Sequence, residues 1–275
     1  MAYTTAQPTV RVALAGLGEV GQAVALALDR GSIPGIELTA VAVRDRAKAE
    51  RFLSAFARAP KVVALKELAD HADIVIECAP AALLPEIAGP ALAKGKRVIV
   101  LSVGALLSNP GLKDLAVEGG GKIMVPTGAL LGLDAVSAAA EGQIHSVRMV
   151  TNKPPGGLKG APYIEQNGTH LDKVSEPVMV FKGSAREAAT GFPANLNVAV
   201  ALSLAGVGPD ETQLEIWANP NVTRNTHRIE VESDSARLTM TIENIPSSNP
   251  KTGVITARSV LAMLRKLSAP VQIGT

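Results

Sequence analysis

Cysteine is almost missing from this 275-residue chain: Cys78 stands alone, which excludes an internal disulfide and suits a reducing compartment. Aromatic residues make up only 3%, so the core must be built from Ala, Val, Leu and Ile. That composition suits a parallel sheet covered by alanine-rich helices. Charge of one sign is also lacking. A net charge of +2 is too small to imply nucleic acid or an anionic membrane as partner. No apolar stretch reaches membrane-spanning length without a charge or a Pro/Gly break. Met1 to Thr9 lacks the basic start and apolar run of a signal peptide. A cytoplasmic protein is therefore expected. Histidines number four and the cysteine one, and no His/Cys/carboxylate cluster has ligand spacing, so no metal site is expected. What is present is a globular balance, 47% hydrophobic and 19% charged.

Strands and helices alternate through the first half. Val10–Ala15, Ile36–Val43, Val62–Ala64, Ile74–Glu77, Val98–Leu101 and Ile123–Val125 read as strands. Glu19–Arg30, Ala47–Arg58, Pro80–Lys94 and Asn109–Glu118 read as the helices between them. This alternation predicts an α/β, Rossmann-type, doubly wound parallel sheet over residues 1–130. The pattern then changes. His145–Asn152, Val178–Phe181, Thr212–Ala218, Thr226–Ser233 and Arg237–Ile245 read as strands, the last two as a hairpin around Asp234–Ser235. Ala185–Thr190 and Asn197–Ala205 read as helices, and Pro154–Gly157 as a loop. Residues 131–248 are thus expected to form an α+β domain with a mostly antiparallel sheet. Asn249–Pro250 should cap a final helix within 249–275, whose apolar stripe (Val254, Ile255, Ala257, Val260, Leu261, Leu264, Leu267) is expected to pack back on the first domain.

Between the first strand and first helix lies Gly16-Leu17-Gly18-Glu19-Val20-Gly21, a dinucleotide fingerprint. Gly16 makes the tight turn, Gly18 lets the backbone approach a pyrophosphate, and Gly21 lets the helix pack closely. The helix start that follows, at Glu19 and Val20, offers amide donors and a positive dipole end. The second strand ends in Val43-Arg44-Asp45-Arg46. An acid there binds the ribose hydroxyls of NAD, and an arginine the 2′-phosphate of NADP. Both types are present, so the cofactor reads as NAD or NADP, with Arg44 as a contact. Cys78 follows a buried strand and reads, with Ala79, as lining of the cofactor crevice; no activating partner marks it as a nucleophile.

Further motifs narrow the field. In order they are Val75-Ile76-Glu77-Cys78-Ala79, Leu101-Ser102-Val103-Gly104-Ala105, Pro126-Thr127-Gly128-Ala129, Gly183-Ser184-Ala185-Arg186-Glu187-Ala188, Asn195-Leu196-Asn197-Val198-Ala199, Ala218-Asn219-Pro220, Asn225-Thr226-His227 and Asn249-Pro250-Lys251-Thr252. No single one is decisive, but the ordered set, across residues 10–267, resembles the L-aspartate dehydrogenase family. The resemblance implies NAD(P)-linked oxidative deamination of L-aspartate to oxaloacetate and ammonia through iminoaspartate, serving NAD biosynthesis or amino-acid catabolism. It implies cofactor contacts at Ala129 and Asn197, a catalytic His227, and a homodimer. The chain departs from the family where Thr127 enlarges the usual Pro-Gly-Ala loop, where Leu130-Leu131-Gly132 replaces an isoleucine–glycine pair, and where Asn219 replaces a common aspartate.

The chemistry needs a general base near the substrate, since water must attack the imine carbon. His71, His145, His170 and His227 are the available imidazoles, and local position alone barely favours His227 over a structural role. Two substrate carboxylates call for cations or oriented N–H donors. Lys153, Lys251 and Thr252 are candidates, each equally readable as an exposed charge or a cap. Asn195 and Asn197 begin a helix, where one could be the N-cap or hold the nicotinamide amide. Two competing readings share the glycine turn. One is a related reductase, such as a dihydrodipicolinate reductase or a homoserine dehydrogenase; the first usually shows a His-His pair followed by lysine, which this chain lacks. The other is a non-catalytic NAD(P)-binding protein, which would need no histidine at 227.

Overall fold

The computed structural model describes residues 9–193, 196–247 and 253–274. Contacts divide the chain into two units: one runs to residue 126 and adds 257–273, the other holds 127–256 and 274–275.

In the first unit the elements are β1 (Val10–Ala15), α1 (Glu19–Asp29), β2 (Ile36–Ala42), α2 (Arg46–Leu53), β3 (Lys61–Val62), α3 (Leu68–His71), β4 (Ile74–Glu77), α4 (Leu84–Ala93), β5 (Arg97–Val100), α5 (Gly104–Ser108), α6 (Gly111–Gly119) and β6 (Lys122–Met124). The six strands form one sheet in the order β3-β2-β1-β4-β5-β6, every pair parallel. This is the doubly wound α/β sheet that the alternation of elements predicts. Strand side chains alternate between two buried faces, which is why the strands read as unbroken apolar runs. Ala13 and Ala15 join a core with Val75, Leu84 and Leu92, while Val12 and Leu14 join another with Ile74 and Ile76. The helix Ile255–Ser268 covers the second of these faces, burying Val260 and Leu264 completely. Its N-terminal end stays wetter, with Val254 and Ile255 exposed.

The second unit contains α7 (Leu133–Ala139), β7 (Ile144–Lys153), α8 (Pro162–Gln166), β8 (Val178–Ser184), α9 (Ala185–Gly191), α10 (Asn197–Ala205), β9 (Gln213–Ala218), β10 (Asn225–Ser233) and β11 (Arg237–Asn244). Its sheet runs β11-β10-β7-β9-β8, and only the β7–β9 pair is parallel. One face is covered by α7 to α10 and holds a core of Val147, Met149, Ile229, Val231, Leu214 and Phe192. Ser184 and Glu187 form a reciprocal capping box that starts α9 directly at the end of β8.

Several boundaries move for local reasons. The helix read over Ala47–Arg58 stops at Leu53, where the chain turns and sets Phe56 edge-on to Phe52, ring centroids 5.2 Å apart. The stretch Pro80–Lys94 opens with a 3-10 turn, Ala81–Leu83, before α4 begins. The helix read from Asn109 starts after Pro110. The loop Pro154–Gly157 is wound into a 3-10 turn over Pro155–Leu158. The short helices α3, α5, α7 and α8 have too few residues for a periodic signal. Asn249–Pro250 lies outside the described residues, and the last helix begins at Ile255. Among the described residues no helix is long and apolar enough to cross a membrane.

Candidate active site

The sheet of the first unit reverses its strand order between β1 and β4, the place where open α/β sheets bind ligands at their strands' carboxyl ends. The turn after β1 is fixed by three glycines with three different reasons. Gly16 has φ +104°, and a Cβ on it would lie 2.5 Å from the carbonyl oxygen of Cys78, the residue that follows β4. A Cβ on Gly21 would lie 2.2 Å from the Gly16 carbonyl, so α1 could not close on its own turn. A Cβ on Gly18 would meet nothing within 4 Å. Gly18 is therefore not demanded by the protein's own packing; it faces a cavity of about 740 Å³. That open cradle, with the start of an 11-residue helix beside it, fits a dinucleotide's phosphates.

The same cavity is lined by Leu17, Gln22, Arg44, Asp45, Phe52 and Leu83, and by Cys78 and Ala79. Burial pushes the Cys78 thiol far up, so it is a neutral packing group there. The loops after β4 and β5 are tied together by Glu77, which sequence reading treated only as part of a motif. Its buried carboxylate accepts from the backbone N–H groups of Ala79 (3.2 Å), Leu101 (3.0 Å) and Ser102 (2.7 Å), and from Ser102 Oγ (3.0 Å). Burial raises its pKa and the four donors pull against that rise.

In the second unit the core-facing side of the sheet changes character along the strands. β7 carries Val147 and Met149 into the apolar core, then Thr151 and Lys153 on the same face. β10 carries Ile229 and Val231, then His227 at the corresponding end, opposite Thr151. The result is a buried polar end: Thr151, Lys153 and His227, with the last two only 3% exposed. Thr151 Oγ1 and His227 Nδ1 share a hydrogen bond of 3.1 Å, its direction set by the ring tautomer. Burial, and secondarily the charge on Lys153, pushes His227 down to about 3. Burial lowers the Lys153 ammonium to about 8. Both groups are basic and both are held in surroundings that favour their neutral forms. A carboxylate arriving beside them would reverse that preference.

Asn244, also buried, closes the same end of the sheet. Its Nδ2 donates to the Ala129 carbonyl at 2.9 Å, and its Oδ1 accepts nothing among the described residues. Neither Thr151 nor Asn244 stood out in the sequence. The available signal was a polar residue on the apolar phase of an alternating strand.

The residues singled out from sequence sort clearly. Gly16, Gly18, Arg44, Cys78 and Ala79 share one cavity. Glu19, Val20 and Gly21 form the first turn of α1 without lining it. Ala129 and Asn197 belong to the second unit, both half-buried. The N-cap position of α10 is Leu196, so Asn197 is its first helical residue and not its cap. Lys153 is buried beside His227 and is not an exposed charge. Asn195, Lys251 and Thr252 lie outside the described residues. Of the other histidines, His145 and His170 are exposed and His71 is half-buried. Asn219 donates from Nδ2 to Asn152 Oδ1 at 3.1 Å, a bond an aspartate could not make, and its N–H donates to the Lys153 carbonyl at 2.8 Å. No group of three or more His, Cys, Asp or Glu among the described residues could hold a metal.

Comparison with known proteins agrees with both halves. Residues 16–126 match the family described as homoserine dehydrogenase, NAD binding domain, and residues 134–267 match aspartate dehydrogenase, C-terminal. The chain is 60% identical to an L-aspartate dehydrogenase of Bradyrhizobium diazoefficiens over 275 residues, 100% of this chain and 98% of that one. It is 62% identical to L-aspartate dehydrogenase 3 of Bordetella bronchiseptica over 264 residues, 96% and 97% of the two chains. A solved structure of aspartate dehydrogenase from Thermotoga maritima shares the fold, with a TM-score of 0.73 at 24% identity over 96% of this chain and 99% of that one. A glycine turn facing an open cavity, a buried Lys153–His227 pair and likeness along the whole length lead to one assignment: the chain belongs to the L-aspartate dehydrogenase family.

Proposed function

We propose that this protein oxidises L-aspartate to iminoaspartate, which water then converts to oxaloacetate and ammonia. NAD or NADP, when bound, accepts the hydride from the substrate Cα. The observation that carries the reading is the buried basic pair Lys153–His227 in a chain of this family.

The remaining work falls to the chain's own residues. Gly16 and Gly18 hold the pyrophosphate against backbone amides, and Ala79 closes the crevice wall. Ala129 and Asn197 orient the nicotinamide end, Ala129 through the backbone that Asn244 pins. Lys153 pairs with a substrate carboxylate. Asn195, Lys251 and Thr252 are further candidates for the carboxylates. In the tautomer this reading requires, His227 Nδ1 is the donor in its hydrogen bond with Thr151 Oγ1, which leaves the Nε2 lone pair for a proton. At neutral pH the imidazole is uncharged, as a base must be. The negative charge of a bound dicarboxylate lifts its basicity toward the working pH, so Nε2 takes a proton from the water that attacks the imine carbon. In the same reading the enzyme works as a cytoplasmic homodimer.

The test is His227→Ala, assayed for NAD(P)H formation with L-aspartate at alkaline pH. Turnover should fall by about 100-fold or more while dinucleotide affinity stays within a factor of about three. Unchanged turnover would remove His227 from the mechanism. Turnover of another amino or hydroxy acid, with none of aspartate, would instead favour a related dehydrogenase.

A further inference from the structure

We propose that the cavity beside β2 selects the dinucleotide bearing a 2′-phosphate, NADP(H), through Arg44 and Lys48. The inference rests on the nucleotide reading of that cavity and goes further, by naming the ribose substituent it is built for.

The choice between the two cofactors is made at the end of the second strand, where an acid chelates the ribose diol and a cation meets a 2′-phosphate. Three charged residues line this cavity: Arg44, Asp45 and Lys48. Asp45 is the one acid among them, and it is already engaged. It is the N-cap of α2, its Oδ1 accepting the Lys48 backbone N–H at 2.9 Å. Turning it toward a ribose would strip that helix of its cap. Arg46, next in sequence, is engaged too, donating to Glu50 at 2.8 Å. The two cations on the cavity wall differ from these neighbours. The side chains of Arg44 and Lys48 make no ion pair or hydrogen bond with any described residue. Arg44 also comes first after the strand, directly following Val43. The rim thus keeps its acid and one base for itself and presents two uncommitted cations. A planar guanidinium and an ammonium together suit a phosphate dianion, and a ribose diol gives them nothing charged to bind.

Arg44 could alternatively stack on adenine, which both dinucleotides carry. Direct titration of the full chain with NADPH and with NADH, followed by nicotinamide fluorescence and by calorimetry, separates these outcomes. NADPH should bind tighter by about tenfold or more. Arg44→Asp should lower that preference by at least about tenfold, and Lys48→Ala by a smaller factor; both side chains are exposed, so the fold should tolerate the changes. Adding salt should weaken NADPH more than NADH. Equal or tighter binding of NADH overturns the proposal while leaving the nucleotide reading intact. So does an Arg44→Asp variant that weakens both dinucleotides equally, since that is the mark of stacking. Binding of neither dinucleotide overturns the nucleotide reading and this proposal with it.

Discussion

The two units carry the residues of the proposed chemistry in opposite ways, each within its own unit. In the first, the site is made of backbone and of missing side chains: Gly16, Gly18 and Gly21 clear the space, and most of the wall is apolar. In the second, the site is made of long side chains that a core would ordinarily exclude, Lys153 and His227, buried at the polar end of an otherwise apolar sheet face. The first arrangement costs the fold little: the glycine turn desolvates no charge of its own, and the buried Glu77 carboxylate beside it is met by four donors. The second holds two basic groups in surroundings that oppose their charge. Stability and function therefore separate differently in the two: in the first unit a substitution can erase binding without touching the fold, whereas in the second, function and stability should move in opposite directions.

The largest effect tests the first half of that statement. Gly18→Val should weaken dinucleotide binding by more than about 100-fold, because the added atoms occupy the space where the pyrophosphate must meet the backbone. The melting temperature should fall less than in a Gly21 variant, since a Cβ at Gly18 touches nothing within 4 Å and the remaining cost is that of a poorer N-cap residue. Gly21→Ala should behave in reverse and lose stability first, its Cβ lying 2.2 Å from the Gly16 carbonyl. Calorimetry for binding and thermal unfolding for stability distinguish the two. A Gly18→Val protein that melts like the Gly21 variant would show that the turn is structural and that the cavity was misread.

The same contrast explains what could be read from the sequence. The first unit was legible nearly strand by strand, because its signals are local. A buried parallel strand announces itself as an apolar run, and the glycine turn spans six residues between a strand and a helix. The second unit was legible as elements, down to the Asp234–Ser235 hairpin and the bounds of α10, but not as a site. Lys153 and His227 are far apart in sequence and become neighbours only because β10 pairs with β7 in one register. A shift of that register by one residue would turn His227 to the other face. Thr151 was invisible for the same reason: its partner is set by strand pairing. At the start of α10 the sequence leaves open whether an asparagine caps the helix, because asparagine favours caps; Leu196 takes the position and Asn197 enters the helix.

The second effect is smaller and tests the other half of the comparison. Lys153→Met keeps most of the side-chain volume and removes the buried charge. The fold should gain about 1–3 kcal/mol at neutral pH, read as a higher melting temperature, while the KM for aspartate rises by about tenfold or more. The pH dependence fixes the cause. A lysine whose pKa falls from 10.5 to about 8 on folding costs the native state most below pH 8, and that cost fades as pH rises toward 10.5. The stability advantage of the methionine variant should therefore be widest near neutrality and shrink across that window. An advantage that is flat with pH would point to packing instead of charge. A loss of stability would mean that Lys153 holds the sheet end together and is no cost to it.

The smallest effect concerns Thr151, whose hydroxyl touches His227 but which the proposed chemistry does not require to meet the substrate. Its task would be to hold the ring and fix which nitrogen carries the proton. Thr151→Val keeps the shape and deletes the 3.1 Å hydrogen bond. A single such bond between neutral groups contributes about 1 kcal/mol, so kcat should fall by about five- to tenfold, far less than for His227→Ala. A merely structural threonine would lower stability and leave the pH–rate profile in place. A positioning threonine does something else: with Nδ1 unbonded, both tautomers are populated, and the acid limb of kcat/KM should move. Thr151→Ser, which restores the hydroxyl, should return the profile to its original position. If valine and serine give the same profile, the hydroxyl has no part in setting the imidazole. The contrast between a backbone-built and a side-chain-built site would then stop at Lys153 and His227.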